Sequence, residues 1–401
     1  MAVTEGLTDN GMRLVLGSPA GLEAALVERV RELRAADPLA PIVVLVGGIL
    51  QRPYLARLLA TELGGIVNVR FLTVGELGLT LGEPALAERG WRPLQALGER
   101  VLVAELARQA GGYFEPVAGT PGFAEALRRL VRELRQEGID PEPFRAALPG
   151  AAESDRKADS LAAAYERYAE AREGFYNGDD CLRHAEPERL DACAVLVTGI
   201  ERVAGVARGL LERIAARLPV TVYLPALGGI PDAAHAALRD WLTAAGGTTE
   251  HLPEPDPATA LDHLKARLFQ PDGAAELDGS VALLSAPDPA AEVREAARAC
   301  LAWAAEGIDF REMSVAYRQA GVYRPLVEAV FAEAGIPVYL HDGASLAERP
   351  ISRRTLALLD LVGSPLHAAR RVMRFVTDGR LPKHGRALRR RCERALGRPL
   401  A

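Results

Sequence analysis

The stretch that decides the fold begins Val281-Ala-Leu-Leu-Ser285, a short apolar run of the kind that forms buried strands. Apolar residues at helical spacing follow in Glu292–Ala304, and Ser314-Val-Ala-Tyr317 is typical of a second strand. A further helix is predicted to carry Pro325 in its first turn, and Ile336-Pro-Val-Tyr-Leu340 is typical of a third strand. Strands that alternate with helices predict a parallel sheet with right-handed crossovers.

Apolar runs of the same kind occur in the first half of the chain. They are Arg13–Leu16, Pro41–Val46, Asp191–Val197 and Val220–Leu224, and Asn68–Leu77 is typical of a strand that enters a helix. From Pro93 to Tyr176 the pattern is almost entirely helical, with Gly and Pro between the helices. We therefore predict an α/β protein in which two parallel-sheet domains are interrupted by inserted helices.

Composition narrows the protein class. The chain has 401 residues, of which 49% are hydrophobic and 25% charged, as in ordinary globular proteins of two or three domains. No apolar run is long enough to span a membrane and no leader pattern opens the chain, so a cytoplasmic protein without membrane contact is expected. Cys181, His184 and Cys193 are close in sequence but lack a fourth ligand at zinc spacing, which favours free thiols.

Charge is distributed unevenly along the chain. The net charge of −5 argues against a general polyanion binder. From Arg370 to Ala401, however, eleven Lys and Arg residues stand against only Asp378 and Glu393. Such a basic end is typical of a nucleic-acid contact or of a solvated helix face.

The first strand runs into Gly17-Ser-Pro-Ala-Gly21 and then into a helix, which is the setting of a P-loop. A phosphate loop needs Gly-Lys-Ser/Thr, but here Gly21 is followed by Leu22 and Glu23. After the Asp191–Val197 strand, a motor would place a carboxylate to organise magnesium, but the chain has Thr198-Gly-Ile200. These differences predict a surviving fold element that holds no nucleotide.

Five sequence words carry a resemblance to a known family. In order they are Glu292-Val-Arg294, Glu306-Gly-Ile308, Ser314-Val-Ala-Tyr-Arg318, Tyr323-Arg-Pro-Leu326 and Gly335-Ile-Pro-Val338. Together they resemble the second motor domain of UvrD-like superfamily 1 helicases. They are more similar still to the helicase-like half of AddB-type helicase–nuclease subunits and related PD-(D/E)XK nuclease family proteins.

This resemblance implies a domain plan of two RecA-like domains with helical insertions. Residues 1–92 and 189–255 would form the first RecA-like domain, 93–188 a helical insertion, 256–280 a connecting helix and linker, 281–345 part of the second RecA-like domain, and 346–401 the start of a second insertion. The rest of such a protein, including its nuclease, would lie beyond that point.

The resemblance also implies a function and partners. The family processes DNA double-strand breaks for recombination, and its helicase-like end serves as scaffold and DNA scanner beside an AddA-type motor subunit. ATP and magnesium are cofactors in the family, and some relatives carry a C-terminal iron–sulfur cysteine set. Because this chain has no counterpart of the residues that bind ATP and magnesium or of the iron–sulfur cysteines, we expect no cofactor in it.

Site residues follow from the same comparison. Arg318 matches the arginine that contacts the γ-phosphate in working relatives, so Gly17, Gly21, Thr198 and Arg318 are the expected relic of a nucleotide site. Candidate DNA contacts are Asn68, Arg70 and Thr73, together with Arg389, Arg390 and Arg391 of the basic end. Tyr165 and Tyr168 could stack on bases, although their helical spacing favours core packing.

Three alternatives remain open from the residues. An ATP-driven helicase is supported by Arg318 alone. The second alternative is an interaction scaffold without DNA contact. The third is an unrelated nucleotide-using α/β enzyme, since doubly wound sheets host many chemistries. No Asp…Glu-x-Lys pattern stands on a convincing strand, so the chain is not expected to cut DNA itself.

Overall fold

A computed structural model describes residues 11–226, 230–253, 257–267, 276–341 and 351–356. The chain divides into two compact units, Met1–Ala282 and Leu283–Ala401. The first unit contains every strand assigned among the described residues. The predicted α/β class is confirmed by this unit, in which helices surround a parallel sheet.

In the described part of the chain the main sheet has six strands, all parallel, in the order β3-β2-β6-β7-β1-β8. In chain order the strands of the unit are β1 (Gly11–Gly17), β2 (Ile42–Val46), β3 (Val69–Leu72), β4 (Arg92–Pro93), β5 (Phe175–Tyr176), β6 (Ala194–Thr198), β7 (Pro219–Pro225) and β8 (Thr248–His251). The central strands β2, β6 and β7 are almost wholly buried, because helices cover both faces of the sheet. This explains why they are continuous apolar runs.

Helices occur in both units of the described chain, the first twelve in Met1–Ala282 and the others in Leu283–Ala401. They are α1 (Pro19–Ala36), α2 (Gln51–Leu63), α3 (Val74–Glu88), α4 (Ala96–Arg108), α5 (Pro121–Gln136), α6 (Pro141–Ala147), α7 (Asp155–Ala171), α8 (Gly178–Arg183), α9 (Gly205–Ala215), α10 (Ile230–Ala233), α11 (Ala236–Ala244), α12 (Ala260–Ala266), α13 (Pro289–Ala305) and α14 (Ala320–Glu333). One face of the sheet packs on α1 and α2, and the other on α3, α8, α9 and α11. No helix among the described residues is long and apolar enough to cross a membrane.

A helical layer separates β3 from β6 in the chain. Helices α4, α5 and α7 enclose a second core that includes Val103, Leu127 and Val131. Strands β4 and β5 pair with each other where the chain enters and leaves these helices. This short parallel ladder holds the two ends of the helical segment side by side.

In the second unit, α13 and α14 pack through Val293, Cys300 and Phe331. The three segments predicted as strands here carry no strand assignment in the described residues. Several apolar side chains in these segments are exposed, with Leu283 fully exposed and Tyr339 84% exposed, whereas Ile336 is buried. A strand exists only when a neighbouring backbone completes its hydrogen bonds. An apolar run alone therefore does not produce one.

Two local predictions differ from the structure. Helix α14 begins at Ala320, so Pro325 lies in its second turn and not in its first. Pro325 has no N–H to donate to the Gly321 carbonyl four residues before it, so the helix continues through this position with one hydrogen bond fewer. Strand β8, Thr-Thr-Glu-His at residues 248–251, was not predicted because an edge strand with polar residues has no apolar signal.

Candidate functional site

The loop between β1 and α1 is the candidate phosphate loop. A single residue, Ser18, links strand and helix, and its hydroxyl oxygen accepts a hydrogen bond from the Gly21 N–H at 3.3 Å. Pro19 occupies the first helical position and has no N–H to offer. A loop that cradles phosphate leaves several N–H groups pointing at the anion. Here the turn is too short to do so, and the capping side chain already uses one of the donors.

An apolar side chain covers the same loop. The Leu252 N–H donates to the Leu16 carbonyl at 2.8 Å, which fixes Leu252 against the end of β1. A Cβ built on Gly17 would lie 3.0 Å from the Leu252 Cβ, and one on Gly21 would lie 3.6 Å from its Cδ1. The two glycines therefore accommodate a leucine, in place of a phosphate group. Sequence reasoning missed Leu252 because this contact is tertiary.

Thr198 ends β6, and the carboxyl end of that strand is also filled. Gly47 approaches Gly199 so closely that a Cβ on Gly47 would lie 1.8 Å from the Gly199 carbonyl oxygen. The Gln51 Oε1 accepts from the N–H groups of Gly47 at 2.9 Å and Gly48 at 3.3 Å. The amide of Gln51 thus stands at the end of β6, where a motor would need a carboxylate.

Strand register places two parts of the predicted nucleotide-site relic, the loop after β1 and the end of β6, at one edge of the sheet. Strand β7 lies between β1 and β6, and Tyr223 pairs with both Val15 and Thr198. Two strand spacings therefore separate the ends of β1 and β6, about 10 Å. The structure brings Gly17, Gly21 and Thr198 to this carboxyl edge, the usual place for sites in such sheets. Their role as a nucleotide-site relic stays a prediction.

Arg318 belongs to the second unit, where it lines a cavity of about 430 Å³. Its guanidinium is exposed and makes no hydrogen bond or ion pair with any described residue. Beside it, Tyr317 and Tyr323 stack with ring centroids 6.1 Å apart, and the Tyr323 hydroxyl donates to Glu292 at 2.6 Å. This hydrogen bond raises the pKa of Tyr323. The predicted match of Arg318 to a phosphate-contacting arginine remains a prediction.

The three candidate DNA contacts around β3 lie in structural roles. Asn68 precedes the strand with φ of +51°, donates its side-chain amide to Leu39 and pairs its carbonyl with Ile42. Arg70 donates to the Asp191 carbonyl. Thr73 caps α3 in a reciprocal box with Glu76. Because Asn68 and Thr73 lie at opposite ends of β3, the structure does not bring the three together. Their contact with DNA stays untested.

The tyrosine pair is not available for stacking on bases. Tyr165 is 2% exposed and Tyr168 is fully buried. The Tyr165 hydroxyl donates to the Ile139 carbonyl at 2.6 Å, and the Tyr168 hydroxyl donates to Glu99 at 2.7 Å. Burial raises the pKa of the Tyr168 hydroxyl. Core packing is the role of both side chains.

Cysteine chemistry gives no metal site in the described part of the chain. Cys181, Cys193 and Cys300 are free thiols, and no group of three metal-binding side chains occurs among the described residues. Burial raises the pKa of the Cys181 thiol to about 11, so at neutral pH this thiol stays protonated and is a poor ligand. Arg389, Arg390 and Arg391 lie outside the described residues.

Comparison with known proteins tests the resemblance. The AddB-type subunit of the ATP-dependent helicase/deoxyribonuclease of Moorella thermoacetica is 26% identical over 403 residues, and that of Symbiobacterium thermophilum is 26% identical over 400. The protein of the same name from Desulforudis audaxviator is 28% identical over 395 residues. Each alignment covers 88% of this chain. This confirms the resemblance to AddB-type helicase–nuclease subunits.

The share of the relatives' length that the alignments cover limits what the similarity shows about this chain. The chain spans 34% of the length of each of these curated AddB-type relatives. No protein-family model matches the chain. The similarity therefore covers most of this chain but only about a third of a whole AddB-type protein, and the helicase and deoxyribonuclease activities belong to the relatives by name.

Proposed function

We propose that this chain is the helicase-like part of an AddB-type subunit that no longer hydrolyses ATP and that serves as scaffold and DNA scanner. Its substrate is DNA, and its partner is an AddA-type motor subunit with helicase and nuclease activity. Together they process DNA double-strand ends for recombinational repair. The names of the curated relatives support the helicase–nuclease setting.

The loss of hydrolysis rests on one observation, the Leu252 side chain packed over Gly17 and Gly21. A triphosphate needs a cavity lined by N–H donors, a lysine and a magnesium-binding hydroxyl. This loop offers an apolar side chain, a proline and a capped serine in their place. The carboxyl end of β6 offers the neutral Gln51 amide in place of a carboxylate.

We expect no measurable ATP hydrolysis by this chain, either alone or with DNA. Neither the loop between β1 and α1 nor the carboxyl end of β6 holds the groups that bind triphosphate and magnesium. The measurement is a coupled assay of ADP release, with isothermal calorimetry for binding. Arg318→Ala provides the matched variant, since Arg318 is the one residue that the resemblance aligns with a nucleotide contact. Magnesium-dependent ATP binding at micromolar strength that is lost in this variant would contradict the proposal and favour the active-helicase alternative.

We expect the chain to bind DNA with an affinity that falls steeply as salt rises, because each Lys or Arg contact with phosphate releases counterions. Replacing Arg389, Arg390 and Arg391 together with glutamate should lower affinity to the same extent for every sequence. The salt slope should fall by about one unit for each phosphate contact removed. The measurement is fluorescence anisotropy of labelled DNA at several salt concentrations.

Two outcomes of this experiment separate the alternatives. Unchanged affinity in the triple variant, with an unchanged circular dichroism spectrum, would show that the basic end is only a solvated face. No DNA binding by the wild-type chain at any salt concentration would favour the scaffold without DNA contact.

A further inference from the structure

A groove between α4 and α5 is lined by arginines that the site described above does not use. Its volume is about 350 Å³. Arg100 and Arg108 line it from α4, and Arg128 lines it from α5. Small residues lie between these arginines, namely Ala104, Gly119 and Ala124. Because the intervening side chains are short, the guanidinium groups can reach an anion in the groove.

The positive charge of the groove is only partly balanced. Arg128 forms a fork with Glu125 through its Nε at 3.0 Å and its Nη2 at 2.6 Å. Arg108 pairs with Glu105 on its own helix. Arg100 makes no hydrogen bond or ion pair with a described residue. Glu125 is the only carboxylate among the described lining residues, so the groove is positive in a chain of net charge −5.

Arg100 and Arg128 are close enough to act on the same carboxylate, Glu125. The hydrogen bond from Arg128 lowers the pKa of Glu125, and the charges of Arg100 and Arg129 lower it further. Thr120 caps the first turn of α5 and Pro121 offers no N–H there, so the arginine side chains, and not the end of the helix, would contact an anion.

The length of the groove indicates what it can hold. Arg100 and Arg108 are eight residues apart on α4, which corresponds to about 12 Å along the helix axis. Guanidinium forks match phosphate oxygens in a bidentate manner. A wall of this length suits a chain of phosphates better than a single anion. None of the described lining residues is aromatic, so the groove offers no surface for base stacking.

We propose that the α4–α5 groove, defined by Arg100, Arg108 and Arg128, binds the phosphate backbone of nucleic acid without reading its sequence. This inference rests on the proposed function, in which DNA is the substrate. It adds a contact surface in the helical layer, formed by residues other than those of the sheet edge and of the basic end.

The test compares three triple variants of the full chain with wild type. In R100A/R108A/R128A the salt slope of DNA binding should fall by about two to three units, since removing one arginine–phosphate pair lowers the slope by ~0.7 on single strands and ~0.9 on duplex. The lysine variant R100K/R108K/R128K should keep the slope, because it keeps the charges. The control R31A/R189A/R217A removes three exposed, ion-paired arginines outside the groove and should also keep the slope.

The salt slope should change equally for labelled DNA of mixed sequence and of a single repeated base. A thermal melt should show that each variant folds. An alanine variant whose slope equals that of the control variant would overturn the groove proposal alone. Wild-type protein that binds no DNA would overturn both proposals. Inorganic pyrophosphate serves as the small-anion probe at constant ionic strength. Saturable binding of pyrophosphate, together with a DNA salt slope that does not change in the alanine variant, would also overturn the backbone proposal.

Discussion

Replacing Asp180 with alanine is expected to lower the free energy of unfolding by about 3–5 kcal/mol, because it leaves the buried guanidinium of Arg172 and the partly buried one of Arg135 without their counter-charge. Asp180 is 5% exposed and accepts hydrogen bonds from Arg135 on α5 and from Arg172 at the end of α7. The Asn177 N–H also donates to it at 2.9 Å. Urea unfolding monitored by circular dichroism measures the change.

The buried ion cluster of Asp180, Arg135 and Arg172 connects the helical layer to the sheet. Arg135 and Arg172 come from helices of the second core, whereas Asp180 lies on α8, which packs against α3 on the sheet. Breaking the cluster should therefore loosen the helical layer first. Hydrogen exchange that rises in α4, α5 and α7 before the sheet would show this.

Asp140→Ala is the matched control. Asp140 also pairs with an arginine, Arg183, at 2.8 Å, but its side chain is 59% exposed. Because exposed ion pairs contribute little, this change should cost no more than about 1 kcal/mol. Equal effects of Asp140→Ala and Asp180→Ala would contradict the importance assigned to burial.

The effect of Asp180→Ala should also depend on pH. Burial alone would raise the pKa of Asp180, but the hydrogen bond from Arg172 and the charge of Arg135 lower it overall. A carboxyl whose pKa is lower in the folded than in the unfolded protein stabilises the fold above its unfolded value, about 3.9. This stabilisation is lost as pH falls through the folded value. The difference between wild type and variant should therefore shrink in the acid range.

Replacing Gly82 with alanine is expected to destabilise the protein by about 1–3 kcal/mol, because α3 and α8 touch at this glycine. A Cβ on Gly82 would lie 2.0 Å from the carbonyl oxygen of Cys181 and 2.8 Å from its Cα. Both are backbone atoms, so no side-chain rotation can relieve the clash. The helices would have to separate. Thermal unfolding followed by circular dichroism measures the loss.

Two glycines of the same helix provide controls for Gly82→Ala. A Cβ on Gly75 meets nothing within 4 Å, so Gly75→Ala should raise stability by about 0.4–1 kcal/mol. A Cβ on Gly78 would lie 2.5 Å from the Leu182 Cδ2, the end of a side chain that can rotate, so an intermediate effect is expected. A Gly82→Ala variant as stable as Gly75→Ala would disprove the close helix contact.

Sequence patterns predicted those parts of the fold that depend on local chemistry. Strands β2 and β6 were visible as apolar runs, because both of their sides are buried. Helix α1 was predicted to follow Gly21, whereas it begins at Pro19, because Ser18 caps it and proline suits its first position. Strand β8 escaped prediction because its position at the sheet edge leaves its residues polar. The apolar segments predicted as strands within Val281–Leu340 have no strand assignment, since apolar character does not supply a pairing partner.

The candidate site was predictable only in part, for the same physical reason. The missing lysine after Gly21 could be read directly, because a phosphate loop is a contiguous motif. Leu252 and Gln51 could not be read, since each reaches the loops from elsewhere in the chain. The spacing of Asn177 and Asp180 is a local capping signal, but nothing local indicates that Arg135 and Arg172 converge on the same carboxylate.

Strand order has a consequence for how the protein is made. Among the described residues β1 pairs with β7 and β8 alone. The backbone of Gly11 therefore has no partner until Pro219 is made, and that of Arg13 also pairs with the later Thr248. At ~5–20 residues per second, a ribosome needs about 10–50 s to supply those partners. During that interval an apolar strand stays unpaired while α4–α7 can already assemble from local contacts. The nascent chain therefore exposes an apolar, unpaired β1 until β7 is made, and such a strand favours aggregation.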